Sequence, residues 1–69
     1  MTENEHRPQR LLKLSEVMAR VGLAKATIYT RIQSGGFPKS VSLGSSSRWV
    51  ETEIDAWIAD LVIERDKAA

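Results

Sequence analysis

The chain contains no cysteine and only one histidine, His6, among its 69 residues. Without cysteine there is no disulfide framework and no thiolate metal site. A lone histidine near the N-terminus leaves no multi-histidine metal site and no histidine base for catalysis. Long apolar runs are also missing, so neither a membrane span nor the hydrophobic stretch of a signal peptide is expected. Gly35, Gly36 and Gly44 are spaced for turns and form no phosphate-binding or dinucleotide fingerprint. The absences argue against an enzyme, a cofactor, a membrane partner and a small-molecule substrate, and they suit a reducing cytoplasm.

What is present is an ordinary globular composition, 42% hydrophobic and 28% charged. A chain this short can fill one core, whose contribution is roughly 3 to 5 kcal/mol. The net charge of +1 conceals an asymmetry. Arg7, Arg10, Lys13, Arg20, Lys25, Arg31, Lys39 and Arg48 face one acid, Glu16, over the same stretch. From Trp49 onward, six acids (Glu51, Glu53, Asp55, Asp60, Glu64, Asp66) outweigh Arg65 and Lys67. A basic front suited to polyphosphate is thus followed by an acidic C-terminal element that a polyanion would repel. The other reading of this pattern is two solvated surfaces.

Residues 1–9 are polar, include Pro8 and lack periodicity, so they are read as a flexible tail. Leu14, Val17, Met18 and Val21 fall at helical spacing, with Ser15 placed to cap the start and Gly22 to end it in a left-handed turn. A second helix is expected over Lys25–Ser34, with Ile28 and Ile32 inward. Between Phe37 and Val50 the period changes to alternation, which predicts a β-hairpin with Gly44-Ser45-Ser46-Ser47 at its tip. Thr52 and Asp55 have capping-box spacing, and Ile54, Trp57, Ile58 and Leu61 give a third helix an apolar face to about Ile63. Residues 10–63 therefore form one domain and residues 64–69 a C-terminal tail. The fold class is α+β, mostly helical, in the order α-α-β-β-α of a winged helix-turn-helix.

In that fold the second helix would enter the major groove of double-stranded DNA. Its outer side carries Lys25, Ala26, Thr27, Tyr29, Thr30 and Arg31. These supply phosphate donors, a guanine reader in Arg31, and methyl groups able to touch thymine. Lys39, Ser45, Ser46, Ser47 and Arg48 would lie on the backbone or in the minor groove. The alternative is that Lys25 and Arg31 only solubilise a surface helix, that Tyr29 packs over the core, and that the serines form a solvent turn. Trp49 and Trp57 both stand in apolar register and are assigned to the core, with Trp57 expected to carry a share comparable to the whole stability.

Several stretches in register resemble the AlpA family of phage and prophage regulators, related to MerR-like winged-helix domains and to phage excisionases. They are Arg10-Leu11-Leu12-Lys13-Leu14, Val21-Gly22-Leu23, Thr27-Ile28-Tyr29, Gly36-Phe37-Pro38-Lys39, Arg48-Trp49 and Glu53-Ile54-Asp55-Ala56-Trp57-Ile58. The resemblance implies a cytoplasmic bacterial or phage DNA-binding protein that regulates transcription, with an architectural role in prophage excision in some relatives. One departure is Ala24, where relatives usually place the serine that caps the recognition helix. The competing reading is a protein-interaction module acting on an integrase, another regulator or a second copy of itself.

Overall fold

The computed structural model describes residues 10–68, and the expected tail over residues 1–9 lies outside them. The chain runs through β1 (Leu11–Leu12), α1 (Leu14–Val21), α2 (Lys25–Ser34), β2 (Val41–Leu43), β3 (Ser46–Val50) and α3 (Glu51–Ala68). Three helices thus surround an antiparallel sheet of strand order β1-β3-β2. Strand β1 has no counterpart in the sequence reading. It pairs Leu11 with Val50 and Leu12 with Trp49, joining the start of the domain to the hairpin.

The entry into α1 corrects the expected cap. Lys13, not Ser15, is the residue before the first helical turn, and its backbone N–H donates to Glu16 Oε1 at 2.8 Å. This is the carboxylate half of a capping box; a lysine side chain has no acceptor with which to return the bond. Ser15 lies inside the first turn, because the extended segment of β1 hands the chain directly to Leu14. The other end is as expected: Gly22 takes φ 70°, a conformation costly for any residue with a Cβ, and its N–H bonds to Met18 O at 2.8 Å.

Helix α2 ends in a Schellman arrangement, with Gly36 N–H on Arg31 O at 2.8 Å and Gly35 N–H on Ile32 O at 3.1 Å. The chain then turns into Gly36-Phe37-Pro38, and both indoles fasten this linker. Trp57 Nε1 donates to Gly36 O at 2.7 Å and Trp49 Nε1 to Pro38 O at 3.1 Å. Phe37 is buried and meets Trp57 edge-on, ring centres 4.7 Å apart.

The hairpin is tighter than expected. Leu43 pairs with Ser46, so Gly44 and Ser45 alone form the turn, and Ser46 and Ser47 belong to β3 rather than to the tip. Gly44 at φ 61° followed by a residue of negative φ has the sign pattern of a type II′ turn, whose twist matches that of the strands. Helix α3 also departs from expectation. It starts at Glu51, placing Thr52 within the first turn, and continues through Ala68 past the anticipated end at Ile63. Residues 64–68 are therefore helical and not a tail.

The core is Leu12, Val17, Ile28, Phe37, Trp49 and Ile54, one from each element except β2, together with the linker. Strand β2 contributes nothing because Val41 and Leu43 share the face of Arg48 and Ser46, opposite to Trp49, and stay exposed. Trp49 is fully buried, whereas Trp57 is half-buried against the core edge. The largest share of stability accordingly moves from Trp57 to Trp49.

Candidate nucleic-acid interface

Burial of Ile28 fixes the rotation of α2 and leaves Lys25, Ala26, Thr27, Tyr29, Thr30 and Arg31 exposed together. Ala26, Thr27, Thr30 and Arg31 line one shallow depression of about 400 Å³ on the outer side of the helix. Their spacing, one turn apart in two rows, puts small side chains beside a long cation. Tyr29 occupies the flank of this face, its ring edge-on to Trp49 with centres 6.2 Å apart. The phenol ring thus leans on the core while remaining 36% exposed.

The N-terminus of α2 begins at Ala24, which makes no side-chain capping bond. Its carbonyl accepts Ile28 N–H at 3.0 Å, but the amides of Lys25 to Thr27 gain no partner from a capping side chain. No acid stands in the first turn, so the positive end of the helix is electrically open to an anion. Ala24→Ser should raise unfolding free energy by about 0.5 to 2 kcal/mol, read by chemical denaturation. It should also slow amide hydrogen exchange over residues 25–27.

The basic residues of the front part company in the structure. Arg20 bonds Glu51 at 3.0 Å and Asp55 at 3.1 Å, and Arg10 bonds Glu16 at 3.2 Å with Glu51 at 3.9 Å. This network ties α1 to the first turn of α3. A hydrogen bond from Arg20 to Asp55, with the Glu51 charge adding to it, holds the Arg20 pKa above its ordinary value. The Lys13 amide, helped by the Arg10 charge against partial burial, holds the Glu16 carboxyl below the usual glutamate range. Lys13, Lys25, Arg31, Lys39 and Arg48 have no ion pair among the described residues.

The hairpin residues are placed less uniformly than those of α2. Ser45 and Ser46 are exposed, Ser47 is half-buried, and Arg48 folds back so that Nη1 donates to Ser47 O at 3.0 Å. Lys39 is exposed but borders a different groove, of about 750 Å³, floored by Phe37 and Trp57 and edged by Glu53 and Asp60 of α3. Four of the α2 residues are therefore gathered around one depression, whereas Lys39 lines a separate groove. Among the described residues no cluster of three or more potential ligands could hold a metal ion, and no helix is long and apolar enough to cross a membrane.

The family model for the prophage CP4-57 regulatory protein AlpA matches residues 10–62. The chain belongs to the AlpA family. Its match begins one residue before β1 and ends within α3, so it spans every strand and the ion pairs of Arg10 and Arg20. The chain is 40% identical over 60 residues to "Uncharacterized protein ORF88" of Enterobacteria phage P4, covering 86% of this chain and 68% of that protein. It is 36% identical over 63 residues to the "DNA-binding transcriptional activator AlpA" of Escherichia coli K12, covering 81% and 90%. It is 38% identical over 48 residues to the "Probable excisionase hkaC" of Shigella phage Sf6, covering 70% and 73%. No solved structure matches the chain. Within this AlpA-family chain, Gly36-Phe37-Pro38, Trp49 and Trp57 acquire a shared physical role: the two indoles bolt the linker that sets the hairpin against α2.

Proposed function

We propose that this chain is a phage-type transcriptional regulator that binds double-stranded DNA in the cytoplasm as a winged helix-turn-helix. In this reading α1 and α2 are the helix-turn-helix, α2 lies in the major groove, and the β2–β3 hairpin is the wing. The single observation that carries it is the exposed, acid-free outer face of α2, where Ala26, Thr27, Thr30 and Arg31 share one surface beside Lys25. Small side chains let a helix backbone approach base edges, and an arginine fork matches the O6 and N7 of guanine. The similarity to a protein named as a DNA-binding transcriptional activator supports the reading.

The roles divide by chemistry. Arg31 reads a base, and the threonine and Ala26 methyls meet a thymine methyl. Lys25, the amides at the start of α2 and the Tyr29 hydroxyl hold phosphates. Lys39, Ser45, Ser46, Ser47 and Arg48 follow the backbone or minor groove; for Arg48 this requires release of its bond to Ser47 O. An architectural role in excision is the second reading, favoured by the similarity to a protein named as a probable excisionase. It uses the same DNA surface.

The test is fluorescence anisotropy with random duplexes and with candidate prophage-attachment sequences. Arg31→Ala should keep the fold and cost about 1 to 3 kcal/mol on the preferred sequence, with less loss on random DNA. Lys39→Ala should weaken all sequences alike, because a phosphate contact carries no base information. Unaltered affinity and selectivity for Arg31→Ala would remove Arg31 from the interface, and failure of the unmodified chain to retain any duplex at low salt would end the proposal.

A further inference from the structure

Helix α3 is longer than the domain needs. Ile58 is its last residue packed against the core, yet the helix continues to Ala68, an overhang of about 15 Å at 1.5 Å per residue. The overhang is not polar. Leu61, Val62 and Ile63 are exposed by 49%, 42% and 53%. Helical periodicity puts Ile58, Leu61, Val62 and Arg65 on one side, with Glu64 and Asp66 along the two margins, and leaves Ile63 on the reverse. Arg65 is held by Asp66 at 3.0 Å, which leaves Glu64 as the acid on this side without an ion pair among the described residues.

Beside it lies a groove of about 270 Å³ between the α1–α2 turn and α3. Its apolar lining includes Val21, Leu23, Ile58 and Leu61, and its cations are Arg20 and Arg31. Arg20 is already held by Glu51 and Asp55, but Arg31 has no ion pair among the described residues. An apolar groove with an unpaired arginine is complementary to an apolar helix end with acidic margins, and this chain carries both.

We propose that the groove receives the α3 overhang of a second copy. The two helices cross antiparallel near Leu61 and Val62, each sending its Glu64 toward Arg31 of the other. Leu61 belongs to both the groove and the overhang, so the contact is isologous and closes at a dimer. The contact engages only a few residues per copy, against roughly 20 to 30 a side in a standard stable interface. The association is therefore weak, and because it engages Arg31 it competes with the base contact proposed for that residue.

Sedimentation equilibrium of the full chain without DNA, at low salt and up to millimolar concentration, tests this apart from the DNA reading. The unmodified chain should show a monomer–dimer equilibrium. Val62→Glu should weaken it about tenfold or more, equivalent to 1.4 kcal/mol, whereas Ile63→Glu on the reverse side should leave it unchanged. Arg31→Glu should also weaken it, and adding Glu64→Arg should restore it, with circular dichroism confirming that each variant is folded. A strictly monomeric chain, equal effects of Val62→Glu and Ile63→Glu, or failure of the double variant to recover would each overturn the proposal.

Discussion

Trp49→Ala should leave most of the chain unfolded at 25 °C. The side chain is the largest of those fully buried, its strand position pairs with Leu12, and its ring supports Tyr29. Removing a buried tryptophan costs about 3 to 5 kcal/mol, against roughly 3 to 5 kcal/mol for the whole core of a domain this small. The loss includes the indole donor to Pro38 O, so the linker between α2 and β2 is released at the same time as the cavity opens. Trp49→Phe separates the two contributions: it retains much of the ring but leaves Pro38 O without its donor, at a cost of about 1 to 3 kcal/mol. Trp57→Ala should cost less than Trp49→Ala, because Trp57 is only half-buried. Far-UV circular dichroism with urea titration measures all three, and a cooperative, native-like transition for Trp49→Ala would contradict the placement of this residue at the centre of the fold.

DNA affinity should fall by roughly 250- to 1,000-fold between 50 and 200 mM salt, the consequence of a slope of about −4 to −5 in log K against log salt when about five phosphates are neutralised. The ion pairs narrow which cations remain for phosphate. Arg10 and Arg20 are committed to Glu16, Glu51 and Asp55, whereas Lys13, Lys25, Arg31, Lys39 and Arg48 have no ion pair among the described residues. Each phosphate-binding lysine replaced by alanine should reduce the slope by about one. Anisotropy titrations at three or four salt concentrations measure it. A slope near zero would point to a protein partner instead, since close-packed protein interfaces respond far less to salt.

Much of this organisation could be read before any coordinates. Ile28 and Ile32 one turn apart, the glycines after each helix and the change of period beyond Phe37 are local signals, and α1, α2 and the hairpin follow from them. Where the fold departs from these signals, the causes are equally specific. Two residues, Leu11 and Leu12, are too few to show alternation, and they become a strand because β3 offers them an unpaired edge. The serine run reads as a loop because serine favours turns. Gly44 closes a two-residue turn by itself, which draws Ser46 and Ser47 into the ladder. The apolar stripe of α3 fades at Ile63, but Glu64, Arg65 and Lys67 are good helix formers and extend the helix beyond the surface it packs on.

What the order of residues determined alone was therefore periodicity: where the chain coils, where it alternates, where it must turn, and which side of each element is apolar. Those properties depend on neighbours within one or two turns and need no tertiary contact. The fate of each charge was decided only by folding. Arg20 and Asp55 lie 35 positions apart and meet at 3.1 Å, while Arg31 has no ion pair among the described residues, and no local pattern distinguishes the two arginines. Coulomb attraction follows distance in space, so only the packing of α1 on the start of α3 could separate cations spent on holding the fold together from those left to face a polyanion.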